Sequence, residues 1–133
     1  MLRFLLDTNI CIYVLKNRPQ ELRSRFNQRA SQLCITSVVL SELIYGVEKS
    51  SRPDENMARL EQFCARLEVL AYDEFAAAHF GEIRADLERK GQVIGAYDLM
   101  IAAHARSRGL ILVTNNEKEF QRVQGLIIQN WTA

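Results

Sequence analysis

The sequence predicts an α/β fold, a central parallel sheet sandwiched between helices. Three observations predict it. Short apolar runs recur along the 133-residue chain, at 2–6, 32–36, 68–71, 110–114 and 126–128. The stretches between most of them carry apolar residues at the three-to-four spacing of helices that bury one face. Connections of helical length between short strands require parallel pairing, and in such sheets ligands bind beyond the carboxyl ends of the strands.

The first run ends at Leu6, and the polar corner Asp7-Thr8-Asn9 leads into a short helix, Ile10 to Leu15, broken by Lys16-Asn17-Arg18-Pro19. Gln20 to Arg29 is a surface helix with Leu22 and Phe26 as its narrow buried stripe. After the second strand, Ser37 is the expected cap of a helix to about Lys49, mostly buried because Val38, Val39, Leu40, Leu43, Ile44 and Val47 cover more than one face. Pro53 suits the first turn of the next helix, which repeats Met57, Leu60, Phe63, Cys64 and Leu67. A turn at Tyr72-Asp73 follows the third strand. The long helix Glu74 to Lys90 then presents Phe75, Ala78, Ile83 and Leu87 and closes at Gly91. Ala96 to Arg108, rich in small residues, ends at Gly109. Leu110 to Thr114 is the expected central strand, since Leu-Ile-Leu-Val is its densest apolar run. Asn115-Asn116 turns into a short helix, Lys118 to Arg122, before the last strand and Trp131.

The length suits one domain, 1–133, with no repeats and no linker. A net charge of +1, from 17 Lys+Arg against 16 Asp+Glu, announces no polyanionic partner, so any nucleic-acid role must be argued from sites. Lys16, Arg18, Arg23, Arg25 and Arg29 outnumber Glu21 locally; they read as a solvated helix face or a phosphate path. Cys11, Cys34 and Cys64 lack the paired spacing of a zinc or redox site and read as reduced core residues. No apolar run is long enough to span a bilayer, and Asp7 interrupts the N-terminus before a signal-peptide core could form. A cytoplasmic protein is expected.

Three acids stand in unusual places. Asp7 follows the first strand directly, at the binding edge, with Thr8 and Asn9 supplying further oxygens; it is equally suited to cap the helix after it. Glu42 lies within Val38-Val39-Leu40-Ser41-Glu42-Leu43-Ile44-Tyr45, where a buried carboxylate needs a basic partner, a metal or a proton, unless it reaches solvent from the helix's one exposed edge. Asp98 sits in the first turn of Ala96–Arg108, where the helix dipole favours its charge; Ala102 and Ala105 leave the same face free of bulk. Neither His79 nor His104 forms a triad with them. Carboxylate, hydroxyl and amide oxygens near strand ends suit a hard cation, Mg2+ or Mn2+ before zinc, whose waters include a possible nucleophile.

Leu5-Leu6-Asp7-Thr8-Asn9, Thr36-Ser37 to Ser41-Glu42-Leu43-Ile44-Tyr45-Gly46, Ile94-Gly95-Ala96-Tyr97-Asp98 with Ile101-Ala102-Ala103-His104-Ala105, and Val113-Thr114-Asn115-Asn116 to Glu119-Phe120 follow one another through nearly the whole chain. In order and spacing they resemble the VapC toxins of the PIN-domain superfamily. The resemblance implies a PIN-like three-layer sandwich and an endoribonuclease dependent on Mg2+ or Mn2+, with Asp7, Glu42 and Asp98 on the metal-binding positions. It further implies a homodimer and neutralisation by a VapB-type antitoxin in a hetero-oligomer. RNA, particularly a tRNA anticodon loop, is the implied substrate. Many PIN domains carry a fourth Asp after the late strand; this chain has Asn116, with Glu119 three residues later, and either residue is a candidate to complete the site. Tyr13, Phe26, Tyr45 and Phe63 are candidate anchors for the antitoxin. Two rivals remain: a phosphotransferase with Asp7 as nucleophile, although position 9 is Asn9 rather than a second acid, and a non-catalytic binding module whose acids only cap helices and pair with arginines.

Overall fold

A computed structural model describes residues 1–16 and 20–132. The break expected at 17–19, and Arg18 with it, lies outside the described residues. The chain begins in the middle of its own sheet. Strand β1 (Phe4–Leu6) pairs in parallel with β2 (Leu33–Thr36) on one side and β4 (Ile111–Val113) on the other; β3 (Glu68–Leu70) and β5 (Ile128–Gln129) complete the order β3-β2-β1-β4-β5. The central strand is therefore β1. Leu110–Thr114, expected there, forms β4 beside it and is covered by the short β5, which begins later than the predicted 126–128 run.

The connections are α1 (Thr8–Leu15), α2 (Gln20–Arg29) and a short 3-10 turn before β2, then α3 (Ser37–Glu48) and α4 (Pro53–Cys64) before β3. Helices α5 (Glu74–Arg89) and α6 (Ala96–Ser107) pack against each other and carry the chain to β4, and α7 (Glu117–Phe120) precedes β5. Helices α5 and α6 end where glycine permits: Gly91 and Gly109 take φ of 65° and 64°, the left-handed conformation that closes a helix without a Cβ clash.

The core runs through both faces of the sheet. Phe4, Leu5, Leu6, Ile35, Leu112 and Val113 are buried, Trp131 closes edge-on over Phe4 at 5.1 Å, and Phe26 stacks on Phe63 at 5.4 Å to join α2 to α4. All three cysteines are free, Cys11 and Cys34 buried and Cys64 half-buried. Lys16, Arg25 and Arg29 are exposed, while Arg23 turns in to donate to the Val14 carbonyl, so most of that basic stretch is a solvated surface. No helix among the described residues is long and apolar enough to cross a membrane.

Two expectations about helices change. Thr36, not Ser37, caps α3: its hydroxyl accepts from the Val38 N–H, whereas the Ser37 hydroxyl accepts from the Tyr72 N–H. Helix α3 is also less buried than its composition implies, with Val39 and Leu43 inside but Ile44 and Tyr45 facing outward, Tyr45 63 % exposed. On α5 the buried position is Ala76 rather than Ala78, and Phe75 is 66 % exposed. Apolar residues outnumber what one face can hold on both helices, and hydropathy does not say which of them turn outward.

Candidate active site

In a sheet that starts in its middle and returns to the same strand, the reversal falls between β1 and β4. In open α/β sheets this reversal, beyond the carboxyl ends of the strands, is where ligands bind. Leu6 and Val113 are paired across this point, so the next residues, Asp7 and Thr114, emerge together there. Both are buried, Asp7 to 4 % exposure.

Asp7 does two things at once. One carboxylate oxygen caps α1 by accepting from the Ile10 N–H at 2.9 Å, so the capping and site readings are compatible. Burial pushes its pKa up from the usual carboxylate value; the Thr114 side chain and the Ile10 N–H pull it down, and the charge of Glu42 raises it again.

Glu42 enters from α3, half-buried, with Oε1 accepting from the Thr8 hydroxyl at 2.7 Å. Thr8 thus ties the second acid to the residue next to the first. Asp98 enters from the first turn of α6. Its pKa is pushed up to about 6 by burial first, then by the charges of Asp7, Glu119 and Glu42. Glu119, on α7, accepts from the Asn116 side-chain amide at 2.9 Å, and Asn116 lies at the start of that helix. The candidate acids therefore lie in one neighbourhood, with Asp98 feeling the charges of Asp7, Glu119 and Glu42, and Asp7 that of Glu42.

Sequence reasoning missed Thr114 as a member of this group. A hydroxyl directly after an apolar strand that pairs with the Asp7 strand was the available signal, but it acquires meaning only from the β1–β4 pairing. The Thr114 hydroxyl also accepts from the Asn116 N–H at 3.0 Å, fixing the turn that presents Asn116 and Glu119. Asn115 donates to the Tyr13 hydroxyl at 3.0 Å.

None of the ion pairs among the described residues engages Asp7, Glu42, Asp98 or Glu119. Four neighbouring acids with no basic side chain paired to them among the described residues suit a cation. The donor set is oxygen throughout, which selects a hard divalent ion over zinc. Among the described residues the carboxylates do not form a closed three-ligand cage. Glu42 and Glu119 are turned toward Thr8 and Asn116 instead. Such an arrangement still fits magnesium, which keeps several waters and needs only one or two direct carboxylates.

Beside Glu42 opens a cavity of about 340 Å³ between α1, α3 and α4, walled by Ile12, Leu15, Leu43, Val47 and Leu60, with Lys16, Asn56 and Arg59 at its edge. Of the four aromatic anchors expected for a partner, Phe26 and Phe63 are core residues, Tyr13 is half-buried, and Tyr45 is exposed on α3.

Comparison with known proteins bears on all of this. The model of the PIN domain matches residues 4–126. The tRNA(fMet)-specific endonuclease VapC of Shigella flexneri is 56 % identical over 99 % of this chain and 100 % of its own length. Ribonuclease VapC2 of Haemophilus influenzae is 54 % identical over 98 % and 99 %. Among solved structures, a chain of the DNA-bound VapBC from Salmonella typhimurium superimposes with a TM-score of 0.95 at 56 % identity, covering 98 % of this chain and 99 % of that one.

Proposed function

Because the chain belongs to the PIN-domain family, and within it to the VapC ribonucleases, we propose that it is the toxin of a VapBC-type pair, a cytoplasmic metal-dependent endoribonuclease formed by one PIN domain over 1–133. The substrate we assign is a tRNA anticodon loop, with initiator tRNA as the first to test, given the specificity named for the 56 %-identical Shigella protein. Unpaired anticodon bases can be splayed out and read, whereas A-form duplex hides its edges. The observation that carries the reading is the meeting of Asp7, Glu42, Asp98 and Glu119, unpaired with any basic side chain among the described residues, at the β1–β4 reversal.

Asp7, Glu42 and Asp98 are the residues that would hold Mg2+ or Mn2+. When bound, such an ion stabilises charge on the scissile phosphate and makes a water nucleophilic near neutral pH. Thr8 orients Glu42 through its hydroxyl, and Thr114 holds Asp7 and the Asn116 turn. Glu119 completes the site as fourth acid, with the Asn116 amide aiming its carboxylate; this takes the place of the fourth Asp. Burial of Asp7 and Asp98 lowers the local dielectric, which strengthens their attraction for a cation, and that cation must offset their repulsion of an RNA phosphate. In-line attack on that phosphate then expels a ribose 3′ oxygen.

The partner is a VapB-type antitoxin, and the apolar groove between α1, α3 and α4 suits one face of an amphipathic segment. Its continuity with Glu42 would let a basic side chain of that segment enter the acid cluster and displace the cation. The toxin itself is a homodimer in this reading, and a hetero-oligomer once neutralised.

The deciding experiment incubates antitoxin-free protein with total bacterial RNA in Mg2+, in Mn2+ and in chelator, beside Asp7→Ala. Discrete fragments in the metal lanes that vanish with chelator and with the variant are expected. Intact RNA in every lane, from protein verified as folded, would leave the non-catalytic binding module as the better account.

A further inference from the structure

His104 takes no part in the proposed chemistry, yet it is the least explained polar residue in the fold. It is fully buried, at 0 % exposure, in a stretch of α6 otherwise made of Ile101, Ala102, Ala103 and Ala105. Its Nδ1 lies 2.7 Å from the Thr36 hydroxyl oxygen, across 68 residues of chain. Its Nε2 is the one buried side-chain polar atom among the described residues without a hydrogen-bond partner. Burial lowers the His104 pKa, the ring is neutral at neutral pH, and Tyr72 closes edge-on against it at 5.7 Å. Burying an unpartnered ring nitrogen costs stability that a phenylalanine of similar size would avoid.

Geometry supplies a reason for bearing that cost. Thr36 is the cap of α3, six residues before Glu42; His104 is on α6, six residues after Asp98. At 1.5 Å per residue the contact stands about 9 Å along each helix from its acid. Six residues are also about 240° of helix rotation, so His104 grips α6 on a different side from the one that presents Asp98. A grip there resists rotation of α6 about its own axis, the motion that would swing Asp98 away from Glu42. Displacements on the order of 1 Å at a reacting centre are enough to cost most of its activity. The start of α3 is held a second time by the Tyr72 N–H on the Ser37 hydroxyl, so the cap is a fixed point against which α6 can be registered.

We infer that His104 is a positioning residue: its hydrogen bond to Thr36 locks the helix that carries Asp98 to the cap of the helix that carries Glu42, and so sets the spacing of the acid cluster for its divalent cation. The inference rests on the metal-site reading above.

Mn2+ affinity is the direct readout, measured by titration calorimetry on the full-length protein, with apo thermal stability recorded in parallel. His104→Phe fills the ring's volume without the hydrogen bond, His104→Asn keeps a group near the Nδ1 position, and Thr36→Ser and Thr36→Val keep and remove the hydroxyl. The expected result is Mn2+ binding weakened about tenfold by His104→Phe and by Thr36→Val, as for lost outer-shell support of metal ligands. Combining the two should add little further, and His104→Asn and Thr36→Ser should recover most of the affinity. RNA cleavage should lose kcat with KM little changed. Unchanged Mn2+ affinity in folded His104→Phe and Thr36→Val, or losses in the two that simply add, would overturn the positioning role and leave His104 a core residue. Absence of Mn2+ binding by the wild type would overturn the metal reading and this inference with it, an outcome distinguishable because it appears before any variant is compared.

Discussion

The two ends of α6 treat charge in opposite ways. At its N-terminal end Asp98 sits half-buried among Asp7, Glu42 and Glu119, with no ion pair among the described residues. At its C-terminal end Arg106 has each guanidinium nitrogen engaged: Nε donates to His79 Nδ1 at 2.9 Å, Nη1 to the Gln124 carbonyl at 3.0 Å, and Nη2 to Glu82 at 2.6 Å. The chain carries 17 basic residues, so the acids are not left unpaired for want of partners. One end pairs its charge, whereas the other leaves its acids without a basic partner among the described residues.

The largest expected effect breaks the comparison at its N-terminal end. Asp98→Asn keeps the shape and removes the charge. RNA cleavage should fall on the order of 100-fold or more, since even outer-shell losses cost 10–100-fold at metal sites. Apo stability at neutral pH should nonetheless rise, because a desolvated charge facing three others is gone. A melting curve in chelator beside a cleavage assay checks both; lower stability together with lost cleavage would mean that Asp98 is an ordinary structural acid.

Arg106→Met tests the opposite end. The side chain is 14 % exposed and Glu82 is 74 % exposed, so the ion pair is heavily screened and the hydrogen bonds to His79 and Gln124 matter more. A loss of about 1–2 kcal/mol, or roughly 5 °C in Tm, is expected, with cleavage per folded molecule unchanged. A fall in cleavage beyond the folded fraction would show that the two ends are coupled through the helix.

The two ends also differ in how much of them is legible in the sequence. Asp7, Glu42 and Asp98 could be picked out because each sits at a strand end, in a helix start or inside an apolar stretch, and these are local patterns; Glu119 came into view only through the resemblance to a family that carries a fourth acid there. Of their supports, Thr8 was legible beside Asp7, whereas Thr114 matters only because β4 pairs with β1, and His104 only because its ring meets Thr36 across 68 residues. The Arg106 network was invisible for the same reason, its partners lying 27, 18 and 24 residues away on elements whose packing angle no periodicity encodes. Helix amphipathicity also misleads where apolar residues exceed the core: Ile44 and Phe75 look like interior residues in sequence and are surface in the fold.

A smaller effect follows from pH. The folded pKa of Asp98, about 6, stands above its ordinary value, and Asp7 is shifted in the same direction. The stability linked to protonating them is fully present below the ordinary carboxylate value and is lost as pH rises through the folded value. In chelator, therefore, these two acids should favour a higher Tm as pH falls from about 7.5 to about 5.5, opposed by buried His104, whose lowered pKa works the other way, and the Tm gained by Asp98→Asn should shrink as pH falls. With Mn2+ present the metal's own stabilisation should shrink over the same range, because protons compete for its ligands. A chelated Tm that falls in this window, with the same fall in Asp98→Asn, would remove the electrostatic contrast between the two ends.

The finest test concerns who completes the acid cluster. Asn116 and Glu119 share a hydrogen bond, and the charge of Glu119 is one of the three that act on Asp98. If Glu119 stands where many PIN domains use an Asp, Glu119→Gln should weaken cleavage by about tenfold, the scale of a supporting metal-site contact. Asn116→Asp alone should change little: it adds a carboxylate but removes the donor that aims Glu119 and sets two like charges side by side. In the Glu119→Gln background, however, Asn116→Asp should restore cleavage, because the cluster regains its fourth charge without that repulsion. The double variant separates a charge requirement from a positional one. Failure to restore, with Mn2+ binding intact, would mean that the geometry of α7 rather than the number of acids is what the site demands.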